Sequence, residues 1–552
     1  MNDIAANRLG TGDVPAELRT WPGWLAFFAS ALLLYTFTAN RGPQWQDSGY
    51  HILRVVTGES VNPLGLALTH PLHHWLGRFA VAFNLVEPAF AVTLVSAFAA
   101  ALAVANIYGC VIALTSDRIA AALAALSLAV ANTFWQLATI TETYTLAGAL
   151  LSAECWCLAS FLTKHSIVDR LPLPGARGFA SSNHQIAKSP NHQFRSCPCA
   201  FLGMFFFNGL GLANHNFALL TMPVLAGVAI VALRHRWIAW SHVLLAAVLW
   251  LIGSLPYTGL VAAEALRSGE LRTTLHSALF GNVYEKSVLN ATVTGRRLLI
   301  NVAFIALNFP NLLLPAAAYG LVAFRRVGVA PILRWALLAA LLIHAVFVLR
   351  YSVPDQHTFF TPMYLLLVLF GGVGFAAWRS TLAPDRERDA ITACRESART
   401  HRRLVQIALL LLAVTPVLYA FVPAIARRFD VLGFVEQHKS YRDDYVYLFT
   451  PWSIVERSAE RMSREAVELA GERGVIIVED GMAEFAVRYR AIREGKKGIE
   501  ITPELKPEDL LRSVAGSRPI VLVPWSVGER LTPPPSGAWR RVGDLYLLAC
   551  DE

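Results

Sequence analysis

The 552-residue chain is poor in charge, with 16% of its residues Asp, Glu, Lys or Arg, against about 25% in an ordinary soluble protein. That shortage excludes a wholly soluble enzyme. Cysteine is also scarce: the seven residues are scattered and imply no disulfide framework. Cys197-Pro-Cys199 lacks the two-residue spacer of redox and zinc motifs. No internal repeat is visible, so the signature of an inverted-repeat transporter is missing. The stretch up to Thr20 is followed by no small-residue cleavage pattern, and the first apolar run is expected to stay as a membrane helix.

What the chain has instead is hydrocarbon. Hydrophobic residues make up 55% of it, the mean hydropathy is +0.45, and apolar runs of about 20 residues recur, the length that spans a bilayer. Eleven crossings are expected, at Pro22–Ala39, Pro88–Leu114, Ile119–Ala138, Thr143–Leu162, Ala200–Ala213, Phe217–Leu233, Trp237–Ala262, Leu298–Phe324, Pro331–Leu349, Thr358–Trp378 and Leu404–Val422. The net charge of +9 is no sign of nucleic acid, because the cations fall between apolar runs and set orientation. Lys164 to Arg195, Arg234, Arg236, Arg325, Arg326 and the run from Arg379 to Arg403 mark one set of loops as cytoplasmic.

The opposite loops are richer in His, Asp, Asn and aromatic residues and should face outward. Expected divisions are a cytoplasmic N-terminus (1–21), a membrane domain (22–425) with a first outer loop (40–87) and a cytoplasmic loop (164–199), and an outer domain (426–552). In that last part Val475–Val478, Ile499–Ile501 and Pro519–Val523 read as short strands alternating with helices near Ser458, Met482 and Pro507, a small α/β domain. An odd number of crossings puts it outside. The expected fold is thus a polytopic α-helical membrane protein with a small soluble α/β domain at its C-terminus.

Polar residues capable of chemistry cluster in the outer loops. Asp47, in Gln44-Trp-Gln-Asp-Ser-Gly-Tyr50, follows the first membrane helix directly. A carboxylate at such a boundary is partly desolvated and suits a catalytic base; the commoner use of Asp there is to cap a helix. His70, His73 and His74 invite zinc, but neighbours in sequence do not converge on a helix, so lining of a site is the better use. Arg41, Arg54 and Arg78 are available to hold phosphate oxygens or to snorkel to the interface. Glu142 suits the first turn of the fourth membrane helix, whereas Glu154, deeper in it, needs a partner or a polar cavity. Asn214 and His215 sit in an outer turn, and Asp355 in another that a Pro-Asp turn also explains.

These segments resemble a known family. Trp45-Gln-Asp-Ser-Gly49, the His70-Pro-Leu segment ending at Leu76-Gly-Arg78, Glu142-Thr-Tyr-Thr-Leu146, the Gly-Leu…Asn214-His215 turn and the Asp355 turn before Pro362-Met-Tyr364 occur in this order. They are similar to membrane proteins of the glycosyltransferase-C superfamily, in the branch that includes an animal endoplasmic-reticulum protein O-mannosyltransferase. The resemblance is clearest from Trp21 to His235. It implies an inverting glycosyltransferase using a polyprenyl-phosphate sugar, with Asp47 as base and with Glu142, Tyr144, Asn214, His215, Asp355, His70 and Arg78 binding substrate. The acceptor is a protein, lipid or glycan outside the cytoplasm, and the setting a bacterial inner membrane; a divalent metal stays open. The chain departs from the family at Tyr50, where an acid is usual, and at Asn62-Pro-Leu-Gly65, where His-Pro-Pro-Gly is usual. The competing readings are a transporter, if Glu154 lines a path, and a silent scaffold for envelope assembly.

Overall fold

The computed structural model describes residues 16–168, 198–324, 331–353, 355–381, 392–432, 439–503, 518–527, 530–531 and 539–548. The cation-rich stretch 169–197 and the expected helix near Pro507 lie outside them. Helix α1 (Ala16–Thr38) leads into two short helices, α2 (Gln46–Thr57) and α3 (Pro71–Ala82), and α4 (Pro88–Thr115) returns through the membrane. Glu87 caps α4 and Asp117 caps α5 (Arg118–Ala129), each accepting two backbone N–H groups. Next come α6 (Asn132–Thr139), α7 (Tyr144–Val168), α8 (Cys199–Asn214), α9 (Ala218–Arg234) and α10 (Trp240–Ser268). The outer loop after α10 holds α11 (Leu271–Phe280) and α12 (Glu285–Val288). Helices α13 (Gly295–Asn308), α14 (Leu313–Ala323), α15 (Pro331–Arg350), α16 (Thr361–Thr381) and α17 (Thr392–Arg428) complete the membrane body.

Among the described residues, seven helices are long and apolar enough to cross a membrane singly. Two of the eleven expected crossings are bent pairs instead: α5 with α6 turns by 62° and α13 with α14 by 100°. Pro310 explains the sharper break, since it drives Phe309 out of the helical region, to φ −130° and ψ 60°. At the gentler one Ala131 is extended, with ψ 129°. The segments expected at Ala200–Ala213 and Phe217–Leu233 are the shorter apolar helices α8 and α9. Helices α14 and α16 pack backbone to backbone: any Cβ on Gly374 would collide with the Ala316 carbonyl oxygen, and one on Gly320 with that of Phe370.

Beyond α17 come α18 (Asp444–Phe449), α19 (Ser458–Ala470) and α20 (Gly481–Arg493) with strands β1 (Val475–Val478), β2 (Glu500–Thr502), β3 (Ile520–Val523), β4 (Ser526–Val527), β5 (Arg530–Leu531), β6 (Trp539–Val542) and β7 (Leu545–Leu548). Five strands form a sheet of order β2-β1-β3-β7-β6, parallel across β2-β1-β3 and antiparallel across β3-β7-β6. Every residue of β1 and β3 is buried, the pattern of parallel strands covered on both faces.

This α/β unit sits on the end of the bundle where α2 and α3 lie. Asn132 and Gln136 of α6 donate to the carbonyls of Phe449 and Tyr447 at 2.9 and 2.5 Å, and Asn40 donates to that of Glu456 at 2.8 Å. Trp45 enters the hydrophobic core of the unit itself, beside Ala459, Met462 and Ala483. It is 1% exposed, and its indole N–H donates to Ser458 Oγ at 2.7 Å.

Candidate active site

Asp47 is presented by a backbone that its neighbours hold in place. Gln46 opens α2 in the left-handed region, at φ 55°, a conformation that costs a non-glycine residue of order 1 kcal/mol or more. Its side-chain oxygen accepts from Tyr447 Oη at 3.2 Å and from Arg442 Nη1 at 3.5 Å. Arg442 is itself pinned, stacked over Tyr447 at 4.3 Å and paired with Asp444 at 2.5 Å. Gly49 meets the Gln44 carbonyl too closely for a Cβ, with Phe485 of α20 next to it. Asp47 therefore projects between two anchors, Trp45 on one side and the α2–α20 contact on the other.

The helix-cap reading of Asp47 does not survive. Helix α2 begins at Gln46, Trp45 occupies the cap position, and no side chain caps the end. Among the described residues the Asp47 carboxylate has no hydrogen-bond or ion-pair partner. It opens onto solvent from a recess, and the surrounding protein raises its pKa.

Glu142 and Asp355 share that recess. Glu142 lies in the break between α6 and α7, two residues ahead of the first helical turn. Its Oε1 accepts from Ser48 Oγ at 2.9 Å, and its backbone exchanges hydrogen bonds of 3.0 Å with Ser96. Burial holds the Glu142 carboxyl well above the usual range, and the charge of Asp47 pushes the same way. Asp355, before the single-turn helix Gln356–Phe360 that leads into α16, is lifted to about 7 by burial and then by Asp47. Burial alone acts on Asp47, whereas its charge acts on both others. The three carboxyls therefore titrate as a coupled group in which like charges oppose full ionisation.

A line of rings leads away from the acids. Tyr144 at the start of α7 lies 5.6 Å from His215, His215 stacks on His70 at 5.2 Å, and His70 meets His51 at 5.7 Å. His70 Nδ1 donates to the Asn214 carbonyl at 2.6 Å, and Asn214 Nδ2 donates to the Thr143 carbonyl at 3.0 Å. These two bonds tie α3 to the α8–α9 turn, and that turn to the residue after Glu142. His215 Nδ1 accepts from Phe217 N at 3.2 Å, which leaves its Nε2 to carry the ring proton. Burial lowers His70 to about 4, so it is neutral near pH 7.

The structure thus brings Asp47, Glu142, Tyr144, Asn214, His215, Asp355 and His70 to one neighbourhood. Arg78 is not among them. It is exposed on α3, and its Nη1 donates to the Val55 carbonyl at 3.2 Å near the C-terminal end of α2. Arg54 is committed as well, to the carbonyls of Glu59, Thr69 and Ser60 at 3.3, 3.0 and 2.7 Å, and so braces the first outer loop. Arg41 lies over the Phe90 ring. Among the described residues no three His, Cys, Asp or Glu side chains are gathered as ligands for a metal ion.

Three neighbours were not expected. Ser48 binds Glu142, although it stands inside the Asp47 motif. Tyr351 lies within the Asp355 segment and feels the charge of Asp355. Tyr284, at the start of α12, feels both Asp47 and Asp355; it belongs to an outer loop with no motif around it. Glu154 is removed from the acids at membrane depth, where it accepts from Asn208 Nδ2 at 3.0 Å and lines a cavity with His344 and His215.

The helical body with its outer α/β unit has a glycosyltransferase-C-like fold, shared with the solved ArnT structures. Residues 65–241 match the family described as protein O-mannosyl-transferase TMEM260 N-terminal domain. That stretch holds His70, Glu142, Tyr144, Asn214 and His215, while Asp47 and Asp355 flank it. ArnT from Cupriavidus metallidurans bound to undecaprenyl phosphate superposes with a TM-score of 0.52 at 13% identity, over 91% of this chain and 93% of that one. Its apo state gives a TM-score of 0.52 at 14% identity over the same shares. The archaeal oligosaccharyltransferase AglB from Archaeoglobus fulgidus, in complex with an inhibitory peptide and a dolichol-phosphate, gives 0.46 at 12%, over 91% of this chain and 69% of that one. No curated protein matches the chain by sequence.

Proposed function

We propose that the chain transfers a sugar from a polyprenyl-phosphate donor to the hydroxyl of a protein, lipid or glycan on the outer side of the membrane, with inversion at the anomeric carbon. The observation that carries this reading is the meeting of Asp47, Glu142 and Asp355, from three segments far apart in sequence, close enough for their charges to act on one another. Asp47 takes the acceptor proton as the hydroxyl oxygen attacks the anomeric carbon, and the bond to the lipid phosphate breaks on the opposite face. That phosphate is a good leaving group and needs no full protonation. His215 Nε2–H and the hydroxyls of Tyr144, Tyr284 and Tyr351 are the nearby donors for it, and the raised pKa of Glu142 and Asp355 limits the negative charge that would repel it. The absence of an acid at Tyr50 is made good by these two, which come from other segments. Undecaprenyl phosphate bound to ArnT and a family named for O-mannosyl transfer support the lipid-linked donor, with mannose the first sugar to try.

Clustered His, Asp and Asn on the loops opposite the cation-rich ones support an outward-facing site in a plasma or inner membrane. The test is incubation of the purified protein and its Asp47→Asn variant with radiolabelled polyprenyl-phosphate sugars, scored for sugar release or transfer. Turnover by the wild type and a loss of about 10²–10⁴-fold in the variant are expected. Equal behaviour of the two on every donor overturns the assignment of Asp47.

A further inference from the structure

At the end of the bundle remote from the acids, α5, α16 and α17 enclose a groove whose walls include Leu123, Phe375, Trp378, Leu404, Val405 and Ala408. Arg379 and His401 stand at its head. Helix α16 starts beside Asp355 and carries Arg379 in its last turn, about 27 Å further along at 1.5 Å per residue. Arg379 reaches Asp117 through Nε at 2.6 Å, and Asp117 in turn caps α5 through Ile119 N and Ala120 N. Among the described residues, that pairing leaves Arg379 Nη1 buried without a hydrogen-bond partner, and His401 Nε2 is buried without one too. Unsatisfied buried donors are rare and costly, and call for a missing partner.

We propose that this groove binds an anionic phospholipid of the leaflet opposite the acid recess, its phosphate on Arg379 Nη1 and His401 Nε2 and its acyl chains along the apolar walls. Two unpaired polar groups at one end of a hydrocarbon-lined groove match an amphiphile with a charged head. A free phosphate would leave the walls uncovered. Arg399, Arg402 and Arg403 lie exposed around the same end of α17; they favour a net negative headgroup and repel the cationic amine of a zwitterionic one. This inference does not depend on the glycosyltransferase reading.

The purified full-length protein, delipidated in detergent, is melted with added phosphatidylglycerol, phosphatidylcholine or inorganic phosphate, and bound lipid is counted by native mass spectrometry. Phosphatidylglycerol is expected to raise the melting temperature and remain as a one-lipid adduct, while the other two do neither. His401→Leu leaves the Arg379–Asp117 pair intact and should weaken phosphatidylglycerol binding roughly fivefold, the loss of one hydrogen bond; Arg379→Gln should abolish the selectivity. Equal stabilisation by both lipids, stabilisation by phosphate alone, or an unchanged phosphatidylglycerol effect in His401→Leu overturns the proposal. If Arg379→Gln does not fold, His401→Leu decides alone.

Discussion

At the scale of single residues, three neighbouring carboxyls whose pKa values are all raised set how the recess responds to pH. Below the pKa of Asp47 the base is protonated and transfer stops. As pH rises through about 7, Asp355 ionises and places a second negative charge near the donor phosphate, so kcat/KM for donor should fall. Asp355→Asn should remove that alkaline limb and leave the acidic one, measurable as a pH–rate profile. The same groups set stability in the opposite sense to most acids. Asp355 holds its proton more tightly folded than unfolded, so between about 4 and 7 the native state binds more protons and loses stability as pH rises. The melting temperature of Asp355→Asn should therefore exceed that of the wild type at pH 8 and converge with it near pH 4. Gln46→Gly offers a separate check on how Asp47 is aimed. Glycine accepts φ 55° without strain, but the contact with Tyr447 and Arg442 is lost. A stability equal to or above wild type, with kcat lowered and donor KM little changed, is the expected result.

At the scale of elements, legibility followed what each signal depends on. The long apolar runs were readable because hydropathy over about 20 residues is a local property, and the strands Val475–Val478 and Pro519–Val523 because continuous burial needs a continuous apolar run. The break at Pro310 was also present in the sequence, yet an apolar run with a proline inside reads equally as one kinked span or as two helices. Strands β6 and β7 escaped notice because the two central residues of Trp539–Val542 are exposed arginines, which leaves too little hydrophobic contrast. Most of the acid cluster was legible as residues on a common side of the membrane. Their convergence was not, since Tyr284 and the displaced Arg54 and Arg78 depend on how loops cross in space. The Asn214 side chain ties the α8–α9 turn to the Thr143 carbonyl, so Asn214→Ala should cost roughly 1–3 kcal/mol in denaturant unfolding and lower transfer without altering Glu154. At α14 against α16, Gly374→Val should fail to fold or lose several kcal/mol, because backbone rather than a movable side chain opposes the new methyl groups.

At the scale of the whole molecule, the C-terminal α/β unit and the segment around Trp45 share one hydrophobic core. Trp45 belongs to the hydrophobic core of the unit while standing two residues from Asp47. Trp45→Ala should cost about 3–5 kcal/mol and release α2 from α19, and limited proteolysis should then cut between α17 and α18 faster than in the wild type while the helical bundle survives. The contact also spans more than four hundred positions, from Trp45 to Ser458. During synthesis the ribosome delivers Asp47 early, yet its supporting wall arrives only after the last membrane helix. On the function proposed above, a nascent or prematurely terminated chain would hold its helices in the bilayer and lack the wall that aims Asp47.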